Sequence, residues 1–212
     1  MLPFVVVGLG NPGKSYAKTR HNIGFEVVKR LAARLGAVFR EDSKLQGLHA
    51  KALVGDRSLH LLLPSTYMNE SGQAVAAIAR FYKALAPEVL IVHDDIAIPF
   101  GMLRVRMRGS PGGHNGLKSV EAALGTSNYP RLKVGIGDER DNTLVDHVLS
   151  PFTREEQEEL QEFIDHAAKV VYDLLTTDIH KVMAAVNVKG KSDEKTVESI
   201  RRDVHPECDT QR

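Results

Sequence analysis

The sequence has few of the features that mark a secreted or membrane protein. Its 212 residues include a single cysteine, Cys208, so no disulfide can form within the chain, which suits a reducing compartment. No apolar run approaches the ~20 residues of a membrane-spanning helix. The short apolar stretch at the start has no basic leader before it, unlike a signal peptide. We therefore expect a soluble, cytoplasmic protein.

The chain also lacks an excess of charge of either sign. Lys and Arg together number 28 and Asp and Glu 27, so the net charge is +1, and any nucleic-acid site must come from a local cluster of cations. With 42% hydrophobic residues and no low-complexity stretch, the chain can form one sizeable core. No repeat or linker divides it. We predict one folded domain over residues 1–188 and a polar, mobile tail over 189–212.

Strand and helix patterns alternate along the chain. Short apolar runs that end at turn residues predict strands, and apolar residues at helical spacing predict helices. The predicted strands cover 4–7, 48–54, 58–63, 89–92, 103–108 and 132–136, and the predicted helices 22–35, 71–85, 117–124 and 153–186, the last with a break near 176–178. Thr153 and Glu156 form a capping-box pattern. Because the second and third strands form a hairpin, we predict an α/β fold with a mixed sheet.

The first motif of the chain has two interpretations. Residues Gly8 to Gly13 match G-x-G-x-x-G directly after a strand, the pattern that opens the phosphate-binding helix of a dinucleotide-binding unit. Asn-Pro-Gly is turn chemistry, however, and helical periodicity begins only near Asn22. The acidic residue expected after a second strand could only be Glu41, in a poorly defined segment. The alternative is that the glycines simply allow the backbone to turn sharply.

Asparagine and histidine recur in the loops and strand ends where α/β proteins place their sites. An amide offers a donor and an acceptor in one plane, which suits a peptide backbone, although any one asparagine could merely close a turn or cap a helix. A histidine paired with a carboxylate is suited to act as a general base. The candidates are Asn11, His21-Asn22, Met68-Asn69, His93-Asp94-Asp95 and His114-Asn115.

No covalent nucleophile accompanies these candidates. The sequence has no G-x-S-x-G elbow, and Cys208 lies in the predicted tail, so direct attack by water is the simpler expectation. The 9 histidines do not show the H-x-x-x-H or H-E-x-x-H spacing of a metal site, and no C-x-x-C pair is present. We therefore expect no metal.

The basic residues form one local pattern. Arg104, Arg106 and Arg108 are two residues apart on a predicted strand, so they would share one face. Further cations are expected nearby, namely Lys118, Arg131 and Lys133. A cationic stripe suits phosphates, but a solvated outer strand face would have the same spacing. The stripe alone does not establish nucleic-acid binding.

The chain resembles the bacterial peptidyl-tRNA hydrolases in Tyr16 and in five segments. These are VGLGNPG (7–13), TRHNIG (19–24), TYMNESG (66–72), HDD (93–95) and GGHNGLK (112–118), collinear over about residues 4–187. The resemblance implies a single α/β domain with a twisted mixed sheet between helices, a monomer and no cofactor. It also implies hydrolysis of the ester that joins a peptide to the 3′ end of tRNA, which recycles tRNA from prematurely released peptidyl-tRNA.

The resemblance further implies roles for individual residues. His21 would be the catalytic base, and Asp94 would orient and polarise it. The substrate-binding residues would be Asn11, Tyr16, Met68, Asn69, Gly113 and Asn115. Arg106 and Lys133 would hold the 5′-phosphate of the tRNA. The family has Lys at the first of these two positions and Arg at the second, so this chain has them exchanged, which changes which side can grip a phosphate bidentately.

Three other functions fit parts of the pattern. An RNA-binding module without catalysis would keep the basic stripe, but it would be expected to lose the His–Asp–Asn set that is complete here. A nucleotide-dependent oxidoreductase would depend on the glycine motif alone. A hydrolase of small esters would differ only in its substrate, and a comparison of tRNA esters with small esters would separate the two.

Overall fold

The computed structural model describes residues 2–137 and 143–187, where the chain forms one α/β domain around a mixed sheet. The sheet has seven strands in the order β2-β3-β4-β1-β5-β7-β6. Their bounds are β1 Val5–Gly8, β2 Arg40–Asp42, β3 Gly47–Val54, β4 Arg57–Pro64, β5 Val89–Asp95, β6 Leu103–Arg106 and β7 Arg131–Gly135. Strands β4, β1, β5 and β7 run parallel, whereas β3 and β6 are antiparallel to their neighbours. The predicted mixed sheet is confirmed. The predicted tail lies outside the described residues.

Six helices accompany the sheet in the described part of the chain. They are α1 Ile23–Arg34, α2 Ser71–Phe81, α3 Asn115–Leu124, α4 Leu144–Leu149, α5 Arg154–Thr176 and α6 Ile179–Val186. The predicted capping box is present, because Thr153 and Glu156 satisfy each other's backbone N–H groups at the start of α5. The predicted break follows, where Asp178 caps α6. None of the described helices is both long and apolar enough to cross a bilayer.

The sheet lies between two helical layers, and strand alternation decides which side chain faces which layer. Val6 and the residues that point the same way pack with α1, α5 and α6. Val5, Val7 and their equivalents pack with α2 and α3. Both faces of the central strands are therefore apolar, as parallel strands require. This buried sheet holds the strand ends, and the loops that follow them, in fixed positions.

Several predicted boundaries were wrong, each for a local reason. Helix α2 ends at Phe81 rather than at 85, because the chain turns at Lys83, whose φ is +54°. Strand β6 ends at Arg106 rather than at 108, so Arg108 lies exposed beyond the strand. Strand β5 extends through Asp95, and α3 begins two residues early, at Asn115.

Two short elements were not predicted. Strand β2 consists of the polar residues Arg40–Asp42, which show no apolar alternation. Helix α4 has only 6 residues, Leu144–Leu149, and Thr143 caps its start. Elements of this length depend on tertiary contacts rather than on their own propensity.

The edge strand β6 is covered by a side chain. Asn187, which follows α6, accepts a hydrogen bond from the N–H of Val105 at 2.8 Å and donates one to its carbonyl at 2.9 Å. The amide therefore substitutes for a neighbouring strand at this point and protects the edge from pairing with another chain.

Candidate functional site

The candidate residues collect at the carboxyl ends of the parallel strands. Strand β1 lies between β4 and β5, so the chain leaves its central strand at a switch point, where α/β sheets open a crevice. Asn11 follows β1, Met68 follows β4, and Asp94 lies at the end of β5. Segments far apart in the sequence thus meet at one edge of the sheet.

The glycines of the first motif serve close packing and a turn. A Cβ on Gly8 would lie 2.4 Å from the carbonyl oxygen of Gly24 in α1, so the strand and the helix touch backbone to backbone. Gly13 has φ +100°, which favours glycine. Helix α1 begins only at Ile23, whereas a dinucleotide-binding loop leads directly into its helix. The second interpretation of the motif is therefore supported.

Asn11 and Asn22 hold each other through reciprocal hydrogen bonds. The N–H of Asn11 donates to the Asn22 Oδ1 at 2.7 Å, and the Asn22 Nδ2 donates to the Asn11 carbonyl at 2.9 Å. The Asn11 Oδ1 in turn accepts the N–H of Met68 at 2.7 Å. Since a backbone N–H can only donate, this contact determines the amide orientation, and none of the described residues accepts a hydrogen bond from the Nδ2 of Asn11.

Two histidines share the carboxylate of Asp94. Nδ1 of His21 lies 2.9 Å from both Asp94 oxygens, and Nε2 of His114 lies 2.9 Å from Oδ1. The Asp94 side chain is 2% exposed, against 12% for His21 and 10% for His114. The chain thus orients both imidazoles on one buried anion. The short 3-10 turn Arg20–Asn22 carries His21 to this position.

The hydrogen bonds specify the tautomers of both rings. The Nδ1 of His114 accepts the N–H of Leu117 at 3.3 Å as the cap of α3, so its Nε2 carries the proton that is donated to Asp94. The Nδ1 of His21 faces the carboxylate and donates to it, which leaves Nε2 as the basic nitrogen. Within the described residues, no hydrogen bond occupies that Nε2.

Burial and charge act against each other at this pair. Burial lowers the pKa of His21, but the charge of Asp94 and the hydrogen bond to it outweigh burial and raise the pKa above 6.5. Burial alone would raise the pKa of Asp94, but the two imidazoles hold it well below its usual range. The carboxyl is therefore ionised at neutral pH, and it determines the basicity of His21.

His93 is a third histidine, which packs against Asp94 and His114. It is fully buried, and its Nδ1 lies 2.6 Å from the Asp94 carbonyl. Its ring packs edge-to-face on His114, with the ring centroids 4.9 Å apart. Burial and the neighbouring His114 lower the pKa of His93 well below 6.5, so its imidazole is neutral.

The same three side chains have the composition of a metal site. His21, Asp94 and His114 each offer one ligand atom, and these atoms lie within 4.8 Å of one another. However, each ring nitrogen contacts the carboxylate directly at 2.9 Å. In these hydrogen bonds the ring nitrogens that face Asp94 carry protons, so an ion could bind only after both rings lost or moved that proton. As the hydrogen bonds stand, the three side chains form a His–Asp–His group that orients both rings.

The predicted substrate-binding residues differ in how deeply they are buried. The side chain of Met68 is 4% exposed and lies in the core, where it contacts Gly116. Asn69 and Asn115 are exposed directly beside Met68 and His114. The last two predicted residues are Tyr16, half-buried and edge-on to Tyr67 at 6.4 Å, and Gly113, exposed with φ +88°.

Only some cations of the predicted basic cluster are exposed and unpaired among the described residues, and so available to bind a phosphate. Arg106 is half-buried on β6, and its Nη1 contacts its neighbour's carbonyl at 3.3 Å. Lys133 is paired with Asp95 at 2.7 Å. Arg131 does not join the surface, because it is 1% exposed and bonds to the carbonyls of Ser110 and Ser127. Of the predicted stripe, Arg104 and Arg106 share β6, and Arg108 does not.

The sequence analysis listed His114 and Asn22 among the candidates but assigned neither of them a role. In the structure each makes a specific contact, His114 with Asp94 and Asn22 with Asn11. The His-Asn doublets were the available signal, because both members of each doublet lie in the same site. Arg20 was missed entirely. It is 2% exposed and forms a bidentate ion pair with Glu156, which ties the segment of His21 to the start of α5.

The geometry agrees with comparisons to known proteins. The family model described as "Peptidyl-tRNA hydrolase" matches residues 5–196. The peptidyl-tRNA hydrolase of Aromatoleum aromaticum is 51% identical over 166 residues, covering 78% of this chain and 84% of that protein. That of Clostridium botulinum is 43% identical over 184 residues, covering 87% and 95%.

A solved structure extends the likeness to three dimensions. The crystal structure of the peptidyl-tRNA hydrolase from Acinetobacter baumannii superposes with a TM-score of 0.82 at 36% identity, covering 88% of this chain and 95% of that one. The family model, the sequence relatives and the solved structure agree, and the chain belongs to the peptidyl-tRNA hydrolase family.

Proposed function

We propose that this chain hydrolyses the ester bond between a peptide, or an N-blocked amino acid, and the 3′ end of tRNA. The attacking group is water, and His21 is the general base. The observation that carries the proposal is the contact of His21 Nδ1 with the buried, ionised Asp94 at 2.9 Å. This contact leaves Nε2 to take a proton from water, which general-base catalysis by a positioned imidazole requires.

Asp94 acts on the reaction through His21. It holds the ring in one tautomer and stabilises the imidazolium that forms when water loses its proton. His114 donates a second hydrogen bond to the same carboxylate, which keeps Asp94 ionised and in place. Neither residue needs to contact the ester for these roles.

Asn11 is the proposed donor to the tetrahedral oxyanion. Its Oδ1 is occupied by the N–H of Met68, so its Nδ2 is free to meet negative charge as it develops on the ester carbonyl. Loss of one such donor costs about 10²–10³-fold in turnover in other enzymes. The reciprocal bonds to Asn22 hold the main chain of Asn11, and the Met68 N–H holds its side-chain amide, which is the preorganisation that such stabilisation needs.

The exposed amides would recognise the substrate. Asn69 and Asn115 flank the centre and offer a donor and an acceptor each, which fits a peptide main chain and the terminal nucleotide of the tRNA. Tyr16 and Gly113 line the approach, and Met68 supports it from the core. A free α-amino group would bring a charge without a partner into this site, so unblocked aminoacyl-tRNA should be a poor substrate.

Arg106 and Lys133 are proposed to hold the 5′-phosphate of the tRNA. Both are cations at one side of the sheet, on the neighbouring strands β6 and β7. We also propose that the enzyme works as a monomer in the cytoplasm. The residues of the described His–Asp–His centre all come from one chain.

The decisive experiment is a comparison of substrates with the full chain. An N-acetylated aminoacyl-tRNA should be hydrolysed, the same aminoacyl-tRNA without the acetyl group should be hydrolysed far more slowly, and a small ester of the same acyl group should react little. Equal rates on the blocked and unblocked tRNA would contradict the proposed specificity. No release from either would contradict the function.

A further inference from the structure

Lys133 is not a free cation in this fold. Its Nζ lies 2.7 Å from Oδ2 of Asp95, and the two side chains are 23% and 14% exposed. The other oxygen of Asp95 accepts the N–H of Ala97 at 2.9 Å, so the turn after β5 holds the carboxylate in position. The anion that faces Lys133 is therefore built into the chain.

The surrounding cations have no such partner. Arg104 lies directly across from Lys133 on β6, and Arg106 lies across from the buried Arg131. In the described part of the chain, neither Arg104 nor Arg106 forms an ion pair. Among the described residues, Asp95 is thus the carboxylate that pairs with a cation of this surface, at the residue proposed to bind a phosphate.

We propose that Asp95 competes with the 5′-phosphate of tRNA for Lys133. It thereby sets how much more tightly the enzyme binds tRNA with a 5′-phosphate than tRNA without one. This inference rests on the proposed function, in which Lys133 is one of the two phosphate ligands. A phosphate that binds Lys133 must share its ammonium group with the Asp95 carboxylate or displace it, and in both cases it lies beside a like charge. Binding of the tRNA is weakened, and release of the product tRNA is favoured.

The test is the substitution Asp95→Asn in the full chain. Asparagine keeps an oxygen for the Ala97 N–H but removes the charge. The measurement is the affinity for one deacylated tRNA, prepared with a 5′-phosphate and, separately, with the phosphate removed. We expect the phosphorylated tRNA to bind about 3- to 10-fold more tightly than to the wild-type chain, as for the loss of one screened charge pair, with little change for the dephosphorylated tRNA.

Salt dependence gives a second readout. A Lys133 released from Asp95 would displace additional counterions on binding phosphate, so the slope of log affinity against log salt should steepen by up to about 0.7. The inference would be overturned if Asp95→Asn left the ratio of the affinities for phosphorylated and dephosphorylated tRNA unchanged, or made it smaller. A merely structural role for Asp95 would weaken both forms equally.

Two further variants make the result specific. Asp165→Asn removes the same charge from the ion pairs that Asp165 of α5 makes with Arg30 and Arg34 of α1 and should leave the ratio of the two affinities unchanged. Lys133→Met should lower the ratio in the wild-type background and should abolish the gain from Asp95→Asn. If Lys133→Met leaves the ratio unchanged, Lys133 does not bind the phosphate, and the inference fails. Ester hydrolysis measured on the wild-type chain tests the proposed function separately.

Discussion

Two clusters of imidazoles lie at opposite ends of the sheet and have opposite electrostatics. At the carboxyl ends of the parallel strands, His21 and His114 share the carboxylate of Asp94. At the other end, where His60 pairs with Val5, His49 contacts His60 at 3.1 Å. There the hydrogen-bond partner of each imidazole is the other imidazole, and the carboxylate of Asp42 acts on His49 only through its charge.

The pKa values follow from this difference. Burial, the neighbouring His49 and Lys51 lower the pKa of His60 to about 4. Burial also lowers the pKa of His21, but Asp94 reverses the effect and raises it above 6.5. Tyr82 stacks on His60 with ring centroids 3.6 Å apart, so the second cluster functions as aromatic packing. A carboxylate in direct contact, rather than the presence of histidine, makes an imidazole a candidate base.

The largest expected effect is that of His21→Ala. Removal of the proposed base should lower kcat/KM by about 10²–10⁴-fold, while tRNA affinity is retained. The matched variant His60→Gln should keep activity within about 2-fold, since its cluster lies far from the ester. The measurement is steady-state hydrolysis of N-acetylated aminoacyl-tRNA. Near-normal turnover by His21→Ala would remove the basis of the mechanism.

Asp94→Asn should cost less than His21→Ala, because the imidazole remains. We expect a loss of about 10- to 100-fold, as for a charged partner of a buried hydrogen bond. Loss of the carboxylate also removes the cause of the raised pKa of His21. His21 then stays unprotonated at lower pH, so the acidic limb of the pH–rate profile should shift to lower pH. A limb that stays in place would show that another group controls it.

His114→Phe should have a smaller effect, about 10-fold on kcat. It removes the second N–H donor to Asp94 and the cap of α3, and one charge-assisted hydrogen bond contributes about 1.5–3 kcal/mol. His114→Gln, which keeps a donor, should recover part of the activity. If both variants lose the same activity, packing of the ring rather than its hydrogen bond is what matters.

The smallest expected effects are on the free energy of unfolding. The contributions of His60 and His21 to its pH dependence should have opposite signs. The folded chain binds a proton at His60 less tightly than the unfolded chain does, so stability is lost as pH falls from 6.5 toward about 4. His60→Gln should remove on the order of 1 kcal/mol of that acid sensitivity, a figure reduced for solvent screening. His21 has a raised pKa, so its contribution is present at low pH and lost as pH rises. The test is thermal unfolding of His60→Gln and His21→Ala at about pH 5.5 and pH 8. If the pH dependence of the melting temperature changed with the same sign in both variants, the prediction would be contradicted.

Some of the fold could be predicted because its signals are local. The capping box of Thr153 and Glu156, the break before Asp178 and the buried run of β5 depend on neighbouring residues, and all three are present. The short elements β2 and α4 could not be predicted, because 3 and 6 residues carry too little periodicity. The end of α2 depended on a turn at Lys83 that the apolar pattern does not record.

For the candidate site, too, the sequence predicted one part and could not predict the other. Family motifs named Asn11, His21 and Asp94 without any structure. The contacts that give these residues their chemistry join His21 to Asp94 across 73 positions and Asn11 to Met68 across 57. The pairing of Lys133 with Asp95 spans 38 positions, and no spacing rule predicts it.

The sequence by itself determined the kinds of side chain available, the α/β pattern and the family to which the chain belongs, because these follow from residue identity and local periodicity. The tertiary structure alone decided which imidazole receives a carboxylate and which receives another imidazole. Charges interact strongly only at a few ångströms and in a buried setting. Such proximity between distant residues is created by the packing of the sheet and its helices.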